Sequence, residues 1–168
     1  MGKIQSAFDF GWPGSISRSV DDIVVSLKNA DTKPIPFGAP VFLVSGGDGV
    51  VAFDTSSPQD YGAFVGFAVR IADKTPEAYP EGQFGEQPEG EWKPGDVMEV
   101  LVRGSIIIRA TAGFAPGGKV YIRKLDGRIV ALQGAEGSTV ELQNVRIKRP
   151  QTGSGSTSEA VVLERHIL

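Results

Sequence analysis

The sequence contains no cysteine and a single histidine, His166, among its 168 residues. Disulfides, thiolate nucleophiles and zinc sites built on cysteine are therefore excluded. It also lacks a G-x-S-x-G motif, a P-loop, a G-x-G-x-x-G motif and the aspartate spacing of a calcium loop. We accordingly predict no catalytic residues, no metal site and no cofactor.

The sequence also lacks an excess of basic charge and long apolar runs. Lys and Arg number 17 against 20 Asp and Glu, which gives a formal net charge of -3 and a pI near 5.2. No basic surface is expected that would hold a nucleic-acid backbone. No apolar stretch approaches the roughly 20 residues of a membrane span, and the opening residues MGKIQSAFDFGWPG lack the apolar centre of a signal peptide. The expected partners therefore include neither nucleic acid nor membrane, and secretion is not expected.

Turn residues and β-branched residues are abundant instead, with Gly 22 and Pro 11. Pro-Gly pairs at 94–95 and 116–117 each precede a β-branched run, and they favour type II turns. Gly104-Ser105 fits a two-residue hairpin of type II′, and Asp126-Gly127 fits one of type I′. No segment has a convincing 3.6-residue periodicity. The sequence therefore predicts an all-β fold of short antiparallel strands.

Composition divides the chain into an arm and a main domain. Residues 1–22 form a predicted extended N-terminal arm, and residues 23–168 form the predicted antiparallel β domain. Residues 72–96 are predicted as one long acidic, Pro/Gly-rich loop inserted in this domain. Structureless connections of this length are uncommon in a compact domain and are usually functional or disordered. Residues 151–158, QTGSGSTS, are predicted as a flexible loop before a last strand.

The arm carries three aromatic residues at alternate positions, Phe8, Phe10 and Trp12. Aromatic rings gain free energy by burial, so the arm is not expected to be free in solution. It packs either on its own domain or on a neighbouring subunit. The acidic loop carries Tyr79, Phe84 and Trp92, and it is either a surface loop without a role or a projection that contacts a basic partner surface.

The central strand candidate is apolar on both faces, with Met98, Val100 and Val102 on one side and Leu101 on the other. A sheet with one solvated face would alternate more clearly. Either the arm or the acidic loop covers the outer face within the chain, or that face is a subunit interface.

Several of these segments, in this order, resemble the tailed-phage capsid cement proteins, also called head decoration proteins. The resemblance runs from Phe8 to Arg123, and the segments that carry it are FDFGWPGSISRSVDDIV, IPFGAPVFLV, FVGFAVR, PGDVMEVLVRGSIIIRA and APGGKVYIR. It implies a small β-barrel or β-tulip-like protein that is made in the host cytoplasm and binds the outer capsid surface of the virion. Its expected partners are the major capsid protein and further copies of itself, as a trimer or a dimer.

The role implied by this resemblance is to bridge neighbouring capsomers and stabilise the shell. The residues expected to contact the capsid lie on the arm, namely Phe8, Phe10, Trp12, Ile16 and Arg18. Further contacts are expected from the loop residues Tyr79, Phe84 and Trp92.

Two other functions remain open from the sequence. One is a virion-associated carbohydrate-binding or adhesin module, which would expose Tyr61, Tyr79, Phe84 and Trp92 on a concave face. The other is a small hydrolase that uses carboxylates of the acidic loop, although a Pro/Gly-rich loop is a poor platform for a preorganised site.

Overall fold

The fold was analysed in a computed structural model, which describes residues 11–17, 21–44, 46, 48–53, 61–71, 90–151 and 157–163. No helix occurs in these ranges. The strands are β1 Ile23–Lys28, β2 Ile35–Pro36, β3 Pro40–Val44, β4 Val50–Ala52, β5 Tyr61–Ala68, β6 Glu91–Trp92, β7 Val97–Arg109, β8 Lys119–Arg123, β9 Ile129–Val130, β10 Thr139–Arg149 and β11 Thr157–Val162.

Most strands join in one antiparallel sheet that curls into a half-barrel, which confirms the predicted all-β fold. The order is β4-β3-β5-β7-β11-β10-β8-β9, and β1 also pairs with β7. The short strands β2 and β6 form a separate pair. The long strand β7 is therefore the centre of the sheet, with β1, β5 and β11 all hydrogen-bonded to it.

Strand β7 corrects the predicted hairpin at Gly104-Ser105. The chain does not reverse there: residues 97–103 pair with β1, and residues 104–109 continue in the same strand and pair with β11. Gly104 has a φ of +121°, a conformation that glycine adopts without the steric cost of a Cβ. At this glycine β7 therefore changes its pairing from β1 to β11 and continues as one strand.

The same change in β7 divides the apolar side chains between two cores. Met98, Val100 and Val102 belong to a smaller core with Trp92, whereas Ile106 and Ile108, at the same even positions, belong to a larger core. Leu101 lies in the larger core as well. The apolar character of both faces of β7 is thus explained by burial on both sides, because every one of these side chains is fully buried within the chain.

The larger core is centred on a row of phenylalanines. Phe64 packs edge-on against Phe42 at 5.7 Å and against Phe67 at 5.4 Å between ring centroids, an arrangement that aromatic quadrupoles favour. Strands β8, β10 and β11 contribute aliphatic side chains to this core, including Ile122 and Ile147.

The predicted turns are partly confirmed. At Pro94-Gly95 and Pro116-Gly117 the glycine has a positive φ (84° and 76°), and the backbone bonds Asp96 N–Lys93 O and Gly118 N–Ala115 O close the turns at 3.1 and 2.9 Å. A hairpin does join β8 and β9 at Asp126-Gly127. Its turn is not of type I′, because Asp126 lacks the positive φ that this type requires and the connection is longer than two residues.

The flexible loop predicted over residues 151–158 extends two residues too far, into strand β11. Thr157 and Ser158 already belong to β11, where they pair with Arg109 and Ile108. Both side chains are buried, so packing against β7 overrides the loop-like composition of this segment.

Candidate functional site: the arm anchor and an exposed hairpin

The described part of the arm, residues 11–17, lies along β7 of its own chain. Pro13 and Gly14 form a turn closed by the Ser15 N–Trp12 O bond of 3.1 Å, and Gly14 has a φ of +82°. After this turn the backbone runs antiparallel to β7, with Gly14 N bonded to Ile107 O at 2.8 Å and Ser17 N to Ser105 O at 2.8 Å. For these residues, packing on the same domain is the interpretation that the structure supports.

Gly14 also brings the arm into backbone contact with the turn before β3. A Cβ at Gly14 would lie 2.9 Å from Gly38 N, and a Cβ at Gly38 would lie 2.8 Å from Gly14 N. Arg70 N donates to Gly14 O at 2.8 Å, and Gly38 N donates to Ala68 O at 2.8 Å. The arm therefore joins three parts of the sheet at a place where only glycine fits.

The Arg70 side chain fixes the base of the arm through two aromatic rings. Its guanidinium carbon lies 5.0 Å from the centroid of Trp12 and 5.5 Å from the centroid of Phe37. Contacts of this kind contribute about 0.5–2 kcal/mol each, with the larger values at desolvated sites. Burial lowers the pKa of Arg70, which stays cationic at neutral pH.

A buried carboxylate holds the other end of the described arm segment. Glu159 on β11 has no exposed surface. The Ser17 hydroxyl donates to its Oε1 at 2.5 Å, Lys148 Nζ lies 3.1 Å from the same oxygen, and Arg149 donates to Oε2. Burial raises the pKa of Glu159, but the hydrogen bonds from Ser17, Arg149 and Lys148 outweigh it, so the pKa lies below its ordinary value.

The predicted arm residues fall into two groups. Trp12 is half-buried against Arg70, and Ile16 bridges to Ile106 of β7 while keeping 39% of its surface exposed. Phe8, Phe10 and Arg18 lie outside the described residues.

Among the predicted loop residues, Trp92 is the one that the described ranges include. Tyr79 and Phe84 lie outside the described residues, as does the side chain of Tyr61. Trp92 is in the smaller core with 2% of its surface exposed. Its Nε1 donates to Val69 O at 3.0 Å, and its ring packs edge-on against Phe37 at 6.0 Å. The expectation that its ring is a partner contact is corrected, because the ring is enclosed by its own chain.

Sequence reasoning missed an exposed apolar groove at the β8–β9 hairpin. The groove has a volume of about 690 Å³ and is lined by Arg123, Lys124, Leu125, Val130, Leu132, Gln133, Gly134, Ser138 and Thr139. Leu125 and Leu132 are 84% and 79% exposed. The turn signal Asp126-Gly127 located the hairpin, but it gave no indication that the side chains around it would form a groove.

A metal site is not assembled in the described ranges, because within them no group of three or more His, Asp or Glu side chains is placed to hold a metal ion. The described residues contain no helix long and apolar enough to cross a membrane. On the strands, Arg103 pairs with Asp21 at 2.5 Å and Arg123 pairs with Asp126.

Comparison with known proteins identifies a family and a solved structure with a similar fold. The family model described as structural cement protein (E217 gp24/Pam3 gp6) matches residues 3–165. A chain in the solved capsid of Myoviridae phage XM1 has the same fold, with a TM-score of 0.68 and 16% identity over 97% of this chain and 96% of that one. No curated protein sequence matches. The chain therefore belongs to the structural cement protein family, and its role is a structural one in a phage capsid.

Proposed function

We propose that this protein binds the outer surface of a phage head and stabilises the shell by bridging neighbouring capsomers. The residues of the arm before Gly11, with Phe8 and Phe10, provide the adhesive contact, and the half-barrel provides the rigid body. Copies associate as a trimer around a local threefold position. Bond-making chemistry has no part in this function, which agrees with the structural character of the family.

The observation that carries the proposal is the anchor of the arm. Residues 14–17 are bound to β7 by backbone hydrogen bonds, to Arg70 by another, and to Glu159 through Ser17. A bridging protein transmits load from its contact site to its body, so its adhesive segment must be firmly joined to that body. An arm joined to the half-barrel only through a flexible chain would move with the capsomers and would not resist their separation.

The position of the anchor supports an adhesive part that begins before it. Gly14 and Ser17 belong to the packed structure, whereas the two phenylalanines precede the Pro13-Gly14 turn. Burial of two phenylalanine side chains contributes roughly 3–6 kcal/mol before the costs of association. Repetition over the shell multiplies this contribution through avidity.

The test is the double variant Phe8→Ala/Phe10→Ala in the full chain. We expect it to fold with unchanged thermal stability and to bind shells at least about a hundredfold more weakly, since about 1.4 kcal/mol corresponds to a factor of ten. Binding is measured by co-sedimentation with purified shells that lack this protein, and shell stability by thermal rupture.

Val97→Ala is the matched control, because Val97 is an apolar residue with 69% of its surface exposed on β7, outside the arm. It should bind shells like the parent protein. Unchanged shell affinity of the double phenylalanine variant would show that the adhesive surface lies elsewhere.

A further inference from the structure

Two exposed leucines share the groove beside the β8–β9 hairpin. Leu125 and Leu132 are the two most exposed large apolar side chains among the described residues, and Val130 lines the same groove. Single exposed apolar residues are common on protein surfaces, but apolar side chains grouped in one concavity mark contact sites. Both leucines are exposed to solvent, so they are available to contact a second molecule.

The walls of this groove are preformed. Lys124 N, in the hairpin, donates to Ser138 O at 2.9 Å and so joins the hairpin to the turn before β10. That turn is closed by the Ser138 N–Ala135 O bond of 2.9 Å, and Gly134 N donates to Thr139 Oγ1 at 3.3 Å. A partner that enters the groove therefore has little backbone ordering to induce, which favours affinity.

The hairpin around the groove is positively charged. Residues 123–128 contain Arg123, Lys124 and Arg128 against Asp126 alone, a net charge of +2. Asp126 is already engaged, because Arg123 Nε donates to it at 2.8 Å and Arg128 Nε lies 3.5 Å away. The turn that forms the other wall adds one carboxylate, Glu136, so the two walls together keep a net charge of +1. The groove thus favours a partner that carries negative charge as well as apolar groups.

The chain itself contains a segment with this chemistry. Residues 72–89 include five carboxylates (Asp73, Glu77, Glu81, Glu86 and Glu89) against one lysine, Lys74, a net charge of -4. The aromatic residues Tyr79 and Phe84 lie among them. The carboxylates of this segment would complement the positive charge of the hairpin, and its aromatic rings would pack against the two leucines.

We propose that the hairpin groove of one copy binds the acidic segment 72–89 of a neighbouring copy. This inference rests on the self-association proposed above and assigns a surface to it. Because the groove and the segment are different surfaces, copies can associate head-to-tail, and such contacts form a ring when the rotation between copies closes. A ring of three copies would satisfy every groove and every segment.

The test uses two variants of the full chain, analysed by sedimentation equilibrium. The groove variant is Leu125→Ser/Leu132→Ser, whose exposed positions permit folding. The segment variant is Glu77→Lys/Glu81→Lys/Glu86→Lys, in which three charge reversals change the segment from -4 to +2. We expect the parent protein to form trimers and each variant to associate at least about a hundredfold more weakly. The control Leu163→Ser removes an apolar side chain that is 51% exposed and lies outside the groove, and it should associate like the parent.

Mixing the two variants gives the sharpest result. Each pair then contains one intact groove and one intact segment, so a 1:1 heterodimer should form but no ring. Parent-like association of either variant, an effect of one variant without the other, or a mixture without heterodimer would overturn the proposal. A monomeric parent protein that still binds shells would overturn this inference and leave the proposed capsid function standing.

Discussion

At the residue scale, Glu159 is a buried carboxylate that contacts three polar side chains. It is fully buried on β11, and it binds Ser17 of the arm together with Lys148 and Arg149 of the β10 end. Removing one partner of a buried charge pair leaves the remaining groups without compensation, which is where such pairs affect stability most. The two cations are about half exposed, and water can therefore solvate them when the carboxylate is lost.

We expect Glu159→Gln to lower the free energy of unfolding by about 1–3 kcal/mol, the usual cost of losing hydrogen bonds to a charged group. The pKa of Glu159 is depressed in the folded state, so its contribution is complete above the unfolded-state value of about 4.3 and is lost as pH falls through the lower folded value. Urea unfolding of parent and variant should therefore differ at pH 7 and converge in acid. The exposed Glu136→Gln is the control. Equal stability of Glu159→Gln and the parent at pH 7 would contradict this role.

At the scale of elements, β7 organises the molecule by pairing with different neighbours along its length. Its first half pairs with β1 and β5, and its second half with β11 and with the arm at Ile16. The change occurs at Gly104, where a Cβ would lie 2.0 Å from Asp22 Oδ1 and 3.1 Å from Asp22 Cα. The glycine thus meets both a backbone requirement and a steric one.

We expect Gly104→Ala to lower the free energy of unfolding by more than about 2 kcal/mol, since backbone strain alone costs of order 1–3 kcal/mol. The control Gly117→Ala also places a side chain at positive φ, but nothing lies within 4 Å of its Cβ. It should cost about 1 kcal/mol, and the difference between the variants isolates the contact with Asp22. Equal losses in thermal melts of the two variants would show that this contact has no energetic role.

At the scale of the whole molecule, opposite charges are concentrated in two segments, the hairpin 123–128 and the acidic segment 72–89. The Arg123 hydrogen bond, followed by the contacts of Arg128, lowers the pKa of Asp126 to about 2, although burial opposes the shift. The hairpin therefore keeps its net charge of +2 down to about pH 3. Segment 72–89 carries the opposite net charge of -4 at neutral pH.

We accordingly expect added salt to weaken self-association at pH 7, because salt screens the exposed charges of the hairpin and of the acidic segment. Sedimentation velocity at increasing salt concentration measures the effect, and circular dichroism of the same samples reports whether the fold persists. Association that is independent of salt in a folded protein would show that charge does not select the partner.

The amino-acid sequence by itself determined the all-β class, the absence of cysteine chemistry, the Pro-Gly turns and the resemblance to cement proteins. These features depend on local backbone preferences and composition, which act over a few residues. The tertiary structure alone decided that Gly104 continues a strand, that Trp92 is a core residue, that residues 11–17 belong to the sheet, and that Leu125 and Leu132 line one groove. Each of these depends on contacts between residues far apart in the sequence, such as Ser17 with Glu159, and local sequence patterns do not indicate such contacts.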